Sequence, residues 1–402
     1  MCTVAIQLRV KKCYNTRVNT PDSIYLDYAA AAPVDKRVLE VMQPYFSEEF
    51  FNPSSPYAPA VKVRREYEAA KDRLAHTFGA KGDEVVITAG ATESINLAFN
   101  GIKGDIITSK IEHSAVISAA KHHGGVVFVK PTEAGLISAK SIAESMTPQT
   151  ELVSVQLANH ELGTIQPLRE IAAVIKQERE TRAESGNKTP ILFHSDASQG
   201  FGSIDVHIAR LGVDMLTLNS GKIYGPKQVG LLWHKPSVKL SPLIFGGGQE
   251  AGVRSGTENV AGVIGFAKAA QLATGKLSDT AKLRDLMQTR LLDKFPQAVV
   301  SGHKKKRLPN FLHISFPGID AERVIFLLED EGVYVATGSA CAASRQTKSN
   351  VLDAIGMDDS LARGSLRLTL GRGTTSEMVN VAIDKIVAVI ESEYMRLEGY
   401  VA

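Results

Sequence analysis

The stretch that decides the fold of this chain is Met215-Leu-Thr-Leu-Asn219-Ser-Gly-Lys222-Ile-Tyr-Gly-Pro226. Its apolar beginning predicts a buried β-strand, and Gly225 and Pro226 predict the turn that follows it. Lys222 therefore stands at the mouth of a strand, where burial disfavours the charged ammonium form. An amine in that position can act as a nucleophile and form a Schiff base with a carbonyl compound. A lone lysine at a strand end more often extends to solvent, so this interpretation depends on the residues around it.

Six further apolar runs resemble the one before Lys222, and helical segments separate most of them. Apolar strands that alternate with helices are typical of a mostly parallel sheet covered on both faces. In such sheets the ligand binds beyond the carboxyl ends of the strands. The sequence thus predicts an α/β fold with a seven-stranded sheet, whose strands are 84–88, 105–108, 125–129, 152–156, 191–194, 216–218 and 230–233.

The pattern changes after about residue 260, where helical runs surround strands such as 311–316, and this indicates a smaller α+β domain. We expect a large domain at 33–278 and a small domain formed by 23–32 and 279–402. Residues 1–21 contain basic but no acidic side chains and lack a secretory signal pattern. Residues 1–22 are interpreted as a flexible extension in preference to a transit peptide.

Composition excludes several classes of protein. The 402 residues are 44% apolar and 22% charged, and 46 basic against 43 acidic residues leave a formal charge of +3. This balance predicts neither nucleic acid nor membrane as a partner. The cysteines Cys2, Cys13 and Cys341 form no disulfide framework and no metal-binding pattern, so no metal site is predicted. A reducing, cytoplasmic location is expected.

Several polar residues follow predicted strands and are candidates for a site. The segment 90–94 places Ala91 and Thr92 at a helix start, where an anion is favoured, although a helix N-cap at Thr92 explains it equally well. Asp196 is either a loop cap or the partner of a cation, and beside a pyridine nitrogen it would keep that nitrogen protonated. Gln199 could donate to a phenolic oxygen, and His113 offers a flat ring for stacking.

Two more candidates lie near the carboxyl terminus. Cys341 stands among small polar residues, which favours a reactive thiol in a loop over an inert buried one. Arg367 could bind a carboxylate through two parallel hydrogen bonds.

Taken together, these residues resemble the cysteine desulfurases, which are pyridoxal-phosphate enzymes of the class-V aminotransferase group. The resemblance covers roughly residues 24–397, and its motifs occur in the order of that family. They are LDY…PVD at 26–35, NPSS at 52–55, GATES at 90–94, EH at 112–113, NHELG at 159–163, DASQ at 196–199, KIYGPK at 222–227, RSGT at 254–257, GSAC at 338–341 and SLRLTLGR at 365–372.

The resemblance implies a pyridoxal-phosphate transferase of fold type I that works as a homodimer. It implies that Lys222 is the Schiff-base lysine, that Cys341 is the nucleophile that forms a persulfide, and that Arg367 binds the substrate carboxylate. The GSAC form indicates the subgroup that serves iron–sulfur cluster assembly. The residues implied for cofactor or substrate binding are Asn52, Ala91, Thr92, His113, Asn159, His160, Asp196, Gln199, Asn219, Ser220, Gly221 and Thr257, the last donated to the cofactor phosphate by the second subunit.

Some positions depart from the family pattern. Gly221 replaces the histidine that normally precedes the lysine, so Asn219 and Ser220 would have to hold the phosphate in its place. His160 replaces a second asparagine, Ala31 and Ala32 replace two threonines, and Tyr57 replaces another histidine. These departures concern cofactor affinity and rate more than the type of reaction.

The implied reaction converts L-cysteine to L-alanine and leaves the sulfur on Cys341, from which an iron–sulfur scaffold or a tRNA-thiolation protein receives it. An unperturbed cysteine has a pKa of about 8.5, so either the site lowers this pKa or a group such as His113 takes the thiol proton. Two alternatives stay open. One is another pyridoxal-phosphate reaction, such as that of a selenocysteine lyase or an aminotransferase, and the other is a catalytically weakened scaffold that binds sulfur acceptors.

Overall fold

The computed structural model describes residues 23–273, 278–337 and 349–398. The strands in these ranges are β1 (Ile24–Tyr25), β2 (Val85–Thr88), β3 (Asp105–Ser109), β4 (Val126–Val129), β5 (Thr150–Ser154), β6 (Leu192–Asp196), β7 (Met215–Asn219), β8 (Gly230–His234), β9 (Val299–Val300), β10 (Phe311–Ser315), β11 (Val333–Tyr334) and β12 (Ser365–Thr369). The α-helices are α1 (Lys36–Met42), α2 (Pro44–Ser47), α3 (Ala58–His76), α4 (Ala91–Phe99), α5 (Ser114–His123), α6 (Ala139–Ser145), α7 (Leu168–Ser185), α8 (Ile208–Leu211), α9 (Val260–Ala273), α10 (Ser278–Lys294), α11 (Ala321–Asp330), α12 (Asn350–Ala354), α13 (Asp359–Arg363) and α14 (Ser376–Glu398).

The central sheet has seven strands in the order β2-β8-β7-β6-β5-β3-β4. Strand β8 runs antiparallel to both of its neighbours, and the remaining pairs are parallel. Strands β2 and β7 are buried almost throughout, as expected for a sheet with helices on both faces. The predicted α/β fold and its seven-stranded, mostly parallel sheet are therefore confirmed.

The direction of the strands brings distant parts of the chain to one edge of the sheet. All strands of the sheet except β8 point the same way, so their carboxyl ends meet there, and β8 begins at that edge with Gly230. Gly230 pairs with Thr88 on one side and with Asn219 on the other. A Cβ atom at Gly230 would lie 2.7 Å from the Cα atom of Gly90, so the turn before α4 packs directly on the start of β8.

Two large hydrophobic clusters form the core. The first lies around the central sheet, and the second joins Ile24 and Leu26 to residues from Met287 to Ile390. The second surrounds a three-stranded antiparallel sheet in the order β12-β10-β9 and the short parallel pair β1-β11. Helix α12 is an exception to the expected division, because its buried side chains pack in the first cluster. The domain boundaries themselves stay a prediction.

Proline and serine determine the limits of several helices. Helices α1 and α2 are separate, and Pro44 begins the second because a proline has no N–H to continue the first. Ser138 caps α6 by accepting a hydrogen bond from the backbone N–H of Ser141. No helix among the described residues combines the length and the apolar character needed to cross a bilayer.

We predict that Gly230→Ala lowers the free energy of unfolding by about 1–3 kcal/mol, because its methyl group would press on the backbone of Gly90. Gly373→Ala is the matched control, since a Cβ atom there meets nothing within 4 Å. Urea unfolding of both variants measures the difference. Equal stability of the two variants would show that the turn before α4 does not depend on this contact.

Candidate active site

A cleft of about 620 Å³ opens at the edge where the strands converge. It lies between the amino end of α4, the turn after β7 and the beginning of β8. Its lining residues are Ala30, Ala31, Ala89, Gly90, Ala91, Thr92, Glu93, Asn96, Asn219, Gly221, Lys222, Lys227, Gln228, Leu243 and Ile244.

The amino end of α4 forms one wall of this cleft. Gly90 is the N-cap residue with φ 145°, a conformation that favours glycine, and no side chain caps the helix. The backbone N–H groups of Ala91 and Thr92 therefore begin the helix without a capping acceptor, as an anion site requires. The alternative that Thr92 is the N-cap is wrong, because Thr92 lies inside the helix.

Glu93 also lines the cleft, but its carboxylate is already engaged. One oxygen accepts a hydrogen bond from Arg254 Nε at 2.9 Å, and the other accepts one from the backbone N–H of Ala89 at 2.6 Å. The ion pair with Arg254 offsets the negative charge that this side chain would otherwise bring to the helix start.

The turn after β7 directs Lys222 inward. Residues Ser220–Lys222 form one 3₁₀ turn, which Asn219 caps by accepting a hydrogen bond from the backbone N–H of Gly221 at 3.0 Å. Tyr224 follows with φ 67°, a strained left-handed conformation, and a side chain at Gly225 would clash with Ser220 Oγ. The Lys222 ammonium donates to the carbonyl oxygens of Ala29 and Ala30, each at 2.7 Å. This lysine is therefore half-buried and bonded within the protein.

Asp196 and Gln199 lie next along this edge. Asp196 is the last residue of β6, which extends two residues further than predicted, and its carboxylate accepts the backbone N–H of Ser198 at 2.9 Å. Gln199 donates from Nε2 to the carbonyl oxygen of Ala29 at 3.0 Å. Gln199 and Lys222 thus share one acceptor, which holds both side chains at the same place.

His113 follows β3 and caps α5. Its Nδ1 accepts a hydrogen bond from the backbone N–H of Ala115 at 3.1 Å, so the neutral ring carries its proton on Nε2. Burial lowers the pKa of His113, while nearby Asp196 acts to raise it and Lys222 to lower it. A ring that is neutral, with its one acceptor nitrogen occupied, suits stacking. This geometry argues against His113 as the acceptor of the thiol proton.

His160 packs edge-on against His113, with ring centroids 5.4 Å apart and an angle of 72° between the planes. Burial lowers the pKa of His160 well below its ordinary value, and electrostatic interactions with His113, Arg367 and Lys222 lower it further. Its Nδ1 atom is buried and has no hydrogen-bond partner within the described part of the chain. His160 is therefore a neutral group in the electrostatic neighbourhood of Lys222.

Asn159 braces the loop after β5. Its side-chain oxygen accepts the backbone N–H groups of Glu161 and Leu162 at 2.9 and 2.8 Å, and its amide donates to the carbonyl oxygen of Ile111 at 2.9 Å. These contacts hold the loop against the residues that lead to His113.

Arg367, on the buried strand β12, reaches the site from the second cluster. Its guanidinium donates to the carboxylate of Asp27 at 2.7 Å and to the carbonyl oxygen of His160 at 2.9 Å. Sequence reasoning missed Asp27 as a site residue, although it stands in the LDY motif. Its position directly after a short strand could have indicated that Asp27 belongs to the site. This carboxylate was interpreted only as part of the motif.

Two buried carboxyl groups were also missed. Glu112 accepts hydrogen bonds from Ser109 Oγ at 2.5 Å and from the backbone N–H of Gln156, and burial raises its pKa to about 8. Glu161 accepts a hydrogen bond from Ser349 Oγ at 2.6 Å, and burial raises its pKa to about 7. Both glutamates belong to motifs quoted above, EH and NHELG, but no role had been assigned to either of them.

Several predicted residues do not line the cleft in the single chain. Asn52 is exposed, and its side chain accepts the backbone N–H of Ser54. Thr257 is also exposed, as a residue offered to a second subunit would be, and its role stays a prediction. Ser220 is buried with its hydroxyl toward Gly225. Cys341 lies outside the described residues.

The residues present at this edge fit the cofactor that the sequence predicts. An uncapped helix start can take a phosphate, and a half-buried amine across the same cleft can take an aldehyde. The fold and the arrangement of the edge are those of the pyridoxal-phosphate transferases of fold type I.

Comparison with known proteins identifies the family within this class. The profile of the family described as "Aminotransferase class-V" matches residues 24–381. "Cysteine desulfurase IscS 1" of Archaeoglobus fulgidus is 40% identical over 381 residues, which cover 91% of this chain and 97% of that protein. "Cysteine desulfurase IscS" of Dictyoglomus turgidum is 38% identical, covering 92% and 94% of the two chains.

Solved structures of similar proteins support the same family. A structure named "NIFS-LIKE PROTEIN" superposes with a TM-score of 0.82 and 33% identity, over 92% of this chain and 99% of the other. "SspA in complex with cysteine" superposes with a TM-score of 0.75 and 33% identity, over 86% and 98% of the two chains. The chain belongs to the class-V aminotransferase family.

We predict that Glu112 makes the protein less stable as the pH rises from 5 to 8. Its pKa is near 4.5 when unfolded and about 8 when folded, so the native state favours the protonated form and this advantage disappears across that interval. Glu112→Gln stays neutral, and its free energy of unfolding should therefore fall less between pH 5 and pH 8, by on the order of 1–3 kcal/mol. Urea unfolding at both pH values measures this. Identical pH dependence of the two proteins would contradict a protonated Glu112.

Proposed function

We propose that this protein is a cysteine desulfurase that uses pyridoxal 5′-phosphate to convert L-cysteine to L-alanine and carries the sulfur as a persulfide on Cys341. One observation supports this most strongly. The ammonium of Lys222 is held inside the protein, faces the same cleft as the uncapped start of α4, and acts electrostatically on His113 together with Asp196. Relatives named cysteine desulfurase, and a structural neighbour whose name reports bound cysteine, support the substrate.

In this proposal different residues of the edge would hold different parts of the cofactor. The N–H groups of Ala91 and Thr92 would hold the phosphate, Asp196 would keep the ring nitrogen protonated, and His113 would stack on the ring. Gln199 would donate to the phenolic oxygen. When bound, the cofactor supplies an electron sink for the negative charge that develops at the substrate Cα.

We assign two roles to Lys222: it is the attachment point of the cofactor and the base that acts on the substrate. The carbonyl oxygens of Ala29 and Ala30 hold its ammonium, and the side chain lines the cleft. Once the amine is neutral it removes the proton from the substrate Cα.

Arg367 receives the substrate carboxylate in this proposal. Asp27 and the carbonyl oxygen of His160 orient its guanidinium, and a substrate carboxylate would be a second anion beside it. A buried guanidinium with one carboxylate already bonded is held in place with little side-chain freedom to lose.

Cys341 supplies the thiolate. The thiolate sulfur of Cys341 would attack the sulfur of the substrate and form an S–S bond, while the bond between that sulfur and Cβ breaks and leaves its electron pair on the carbon side. Cβ takes a proton, and Lys222 returns the proton that it removed from Cα, which gives alanine. Residues on both sides of the segment 338–348 are attached beside the site, which supports this assignment. The backbone of Ala336 pairs with that of Arg367, and Ser349 is bonded to Glu161.

The persulfide then passes to an acceptor protein, for which we propose a component of iron–sulfur cluster assembly, as the names of the relatives indicate. A tRNA-thiolation protein is a further acceptor in this proposal. We also propose a homodimer, in which Thr257 of one subunit reaches the phosphate bound by the other. A cytoplasmic location stays a prediction.

We predict that Cys341→Ala abolishes persulfide formation and slows alanine release at least about a hundredfold, while the visible absorbance of bound cofactor is retained. Lys222→Ala should lose both activities and that absorbance. Mass spectrometry for the persulfide, an alanine assay with L-cysteine and an absorbance spectrum measure these outcomes. Cys13→Ala, which removes a thiol from the amino-terminal extension, is the control and should behave as the parent protein.

Undiminished sulfur transfer by Cys341→Ala would contradict the proposed role of that thiol and favour a lyase reaction. Parent protein that gains no visible absorbance with added pyridoxal phosphate would contradict the proposal as a whole.

A further inference from the structure

The space beside Gly221 is occupied by another residue of the chain. A Cβ atom added to Gly221 would lie 3.6 Å from Cγ of Lys227 and 3.5 Å from the side-chain oxygen of Asn219, which are ordinary contact distances. The Lys227 stem therefore enters the region into which a side chain at position 221 would project. A Cβ atom is tolerated at position 221, because these contacts are ordinary ones and the φ of Gly221 is not in the left-handed region.

Lys227 and Gln228 line the same cleft as Ala91 and Thr92. Both are exposed, and neither side chain forms a hydrogen bond or an ion pair with any residue in 23–273, 278–337 or 349–398. A lysine with no partner in the described chain, placed on the wall of a cleft that also contains an uncapped helix start, is positioned for an anionic ligand.

The backbone of Gln228 is a second, independent observation. Its φ is 60°, in the left-handed region that glycine adopts without strain and that a glutamine adopts only at a cost. Strained residues of this kind concentrate at ligand sites. Here the strain keeps an amide side chain, with two N–H donors, at the wall of the cleft.

The residues expected from the sequence to hold the phosphate bring no positive charge to it. The Ser220 hydroxyl faces Gly225 in the interior. Asn219 lines the cleft and accepts the backbone N–H of Gly221 on its side-chain oxygen, which leaves its amide nitrogen as a neutral donor. The helix start contributes N–H groups but no full charge, and the carboxylate of Glu93 nearby is paired with Arg254. A cation beside these groups would add a charge-assisted hydrogen bond to a phosphate that bears close to two negative charges.

We propose that Lys227, assisted by Gln228, binds the phosphate of the cofactor beside Gly221 and supplies the side-chain donors that glycine lacks. This inference rests on the proposed function, in which that phosphate lies at the start of α4. It assigns the positive charge of the phosphate site to a residue five positions after the lysine that binds the aldehyde.

The test compares two ligands that differ only in the phosphate, pyridoxal phosphate and pyridoxal. Cofactor-free Lys227→Met keeps the apolar stem and loses the charge. Its affinity for pyridoxal phosphate, titrated by visible absorbance, should fall about tenfold or more, as expected when a charge-assisted hydrogen bond is lost. Its affinity for pyridoxal should stay within about twofold of the parent.

Lys188→Met is the matched control. Lys188 is an exposed lysine just before β6, at the edge of the sheet opposite the cleft, and its loss should change neither affinity. Gly221→His added to Lys227→Met should recover most of the lost affinity for pyridoxal phosphate, since an imidazole would enter the same space.

Three outcomes would overturn the inference. Equal affinity of Lys227→Met and the control for pyridoxal phosphate would remove Lys227 from the phosphate site. An equal loss of affinity for both ligands would indicate a distorted cleft. Parent protein that binds pyridoxal phosphate no better than pyridoxal would contradict the phosphate site of the proposed function itself.

Discussion

The contact on which the rest of the site depends is the pair of hydrogen bonds from the Lys222 ammonium to the carbonyl oxygens of Ala29 and Ala30. These bonds fix the lysine to a segment that comes from the beginning of the described chain. The same segment is tied to the second hydrophobic cluster, because the backbone N–H of Ala29 donates to Thr369 Oγ1 at 3.0 Å. It is tied to the lysine turn by a further hydrogen bond, from the N–H of Ala32 to the carbonyl oxygen of Gly221. The short backbone stretch 29–32 therefore connects the two hydrophobic clusters beside Lys222, where the chemistry is proposed.

Burial gives the surrounding groups their protonation states. His113 and His160 are kept neutral because an imidazolium would be poorly solvated there, and Glu112 is kept protonated for the same reason. Asp196 and Lys222 are the charged groups that act on His113. In buried surroundings with few charges the effect of each charge is large, because the low local dielectric strengthens electrostatic interactions.

The sequence predicted the fold because the fold follows from local patterns. Apolar strands alternating with helices predict a parallel sheet, and that sheet by itself brings the residues after β2, β3, β5, β6 and β7 to one edge. The contacts between these residues could not be predicted. Asp27 and Arg367 are 340 positions apart in the chain, and their ion pair depends on how the second cluster packs against the first. The hydrogen bond that fixes the tautomer of His113 is likewise a detail of the turn geometry, which a single sequence does not specify.

The most direct test of the account is to find which lysine binds the cofactor. The protein loaded with pyridoxal phosphate is reduced with borohydride, which makes the link permanent, and the modified residue is located by peptide mass spectrometry. The account predicts one pyridoxyl-phosphate group per chain, on Lys222. A label on Lys227, which lines the same cleft, or on a surface lysine, would contradict it.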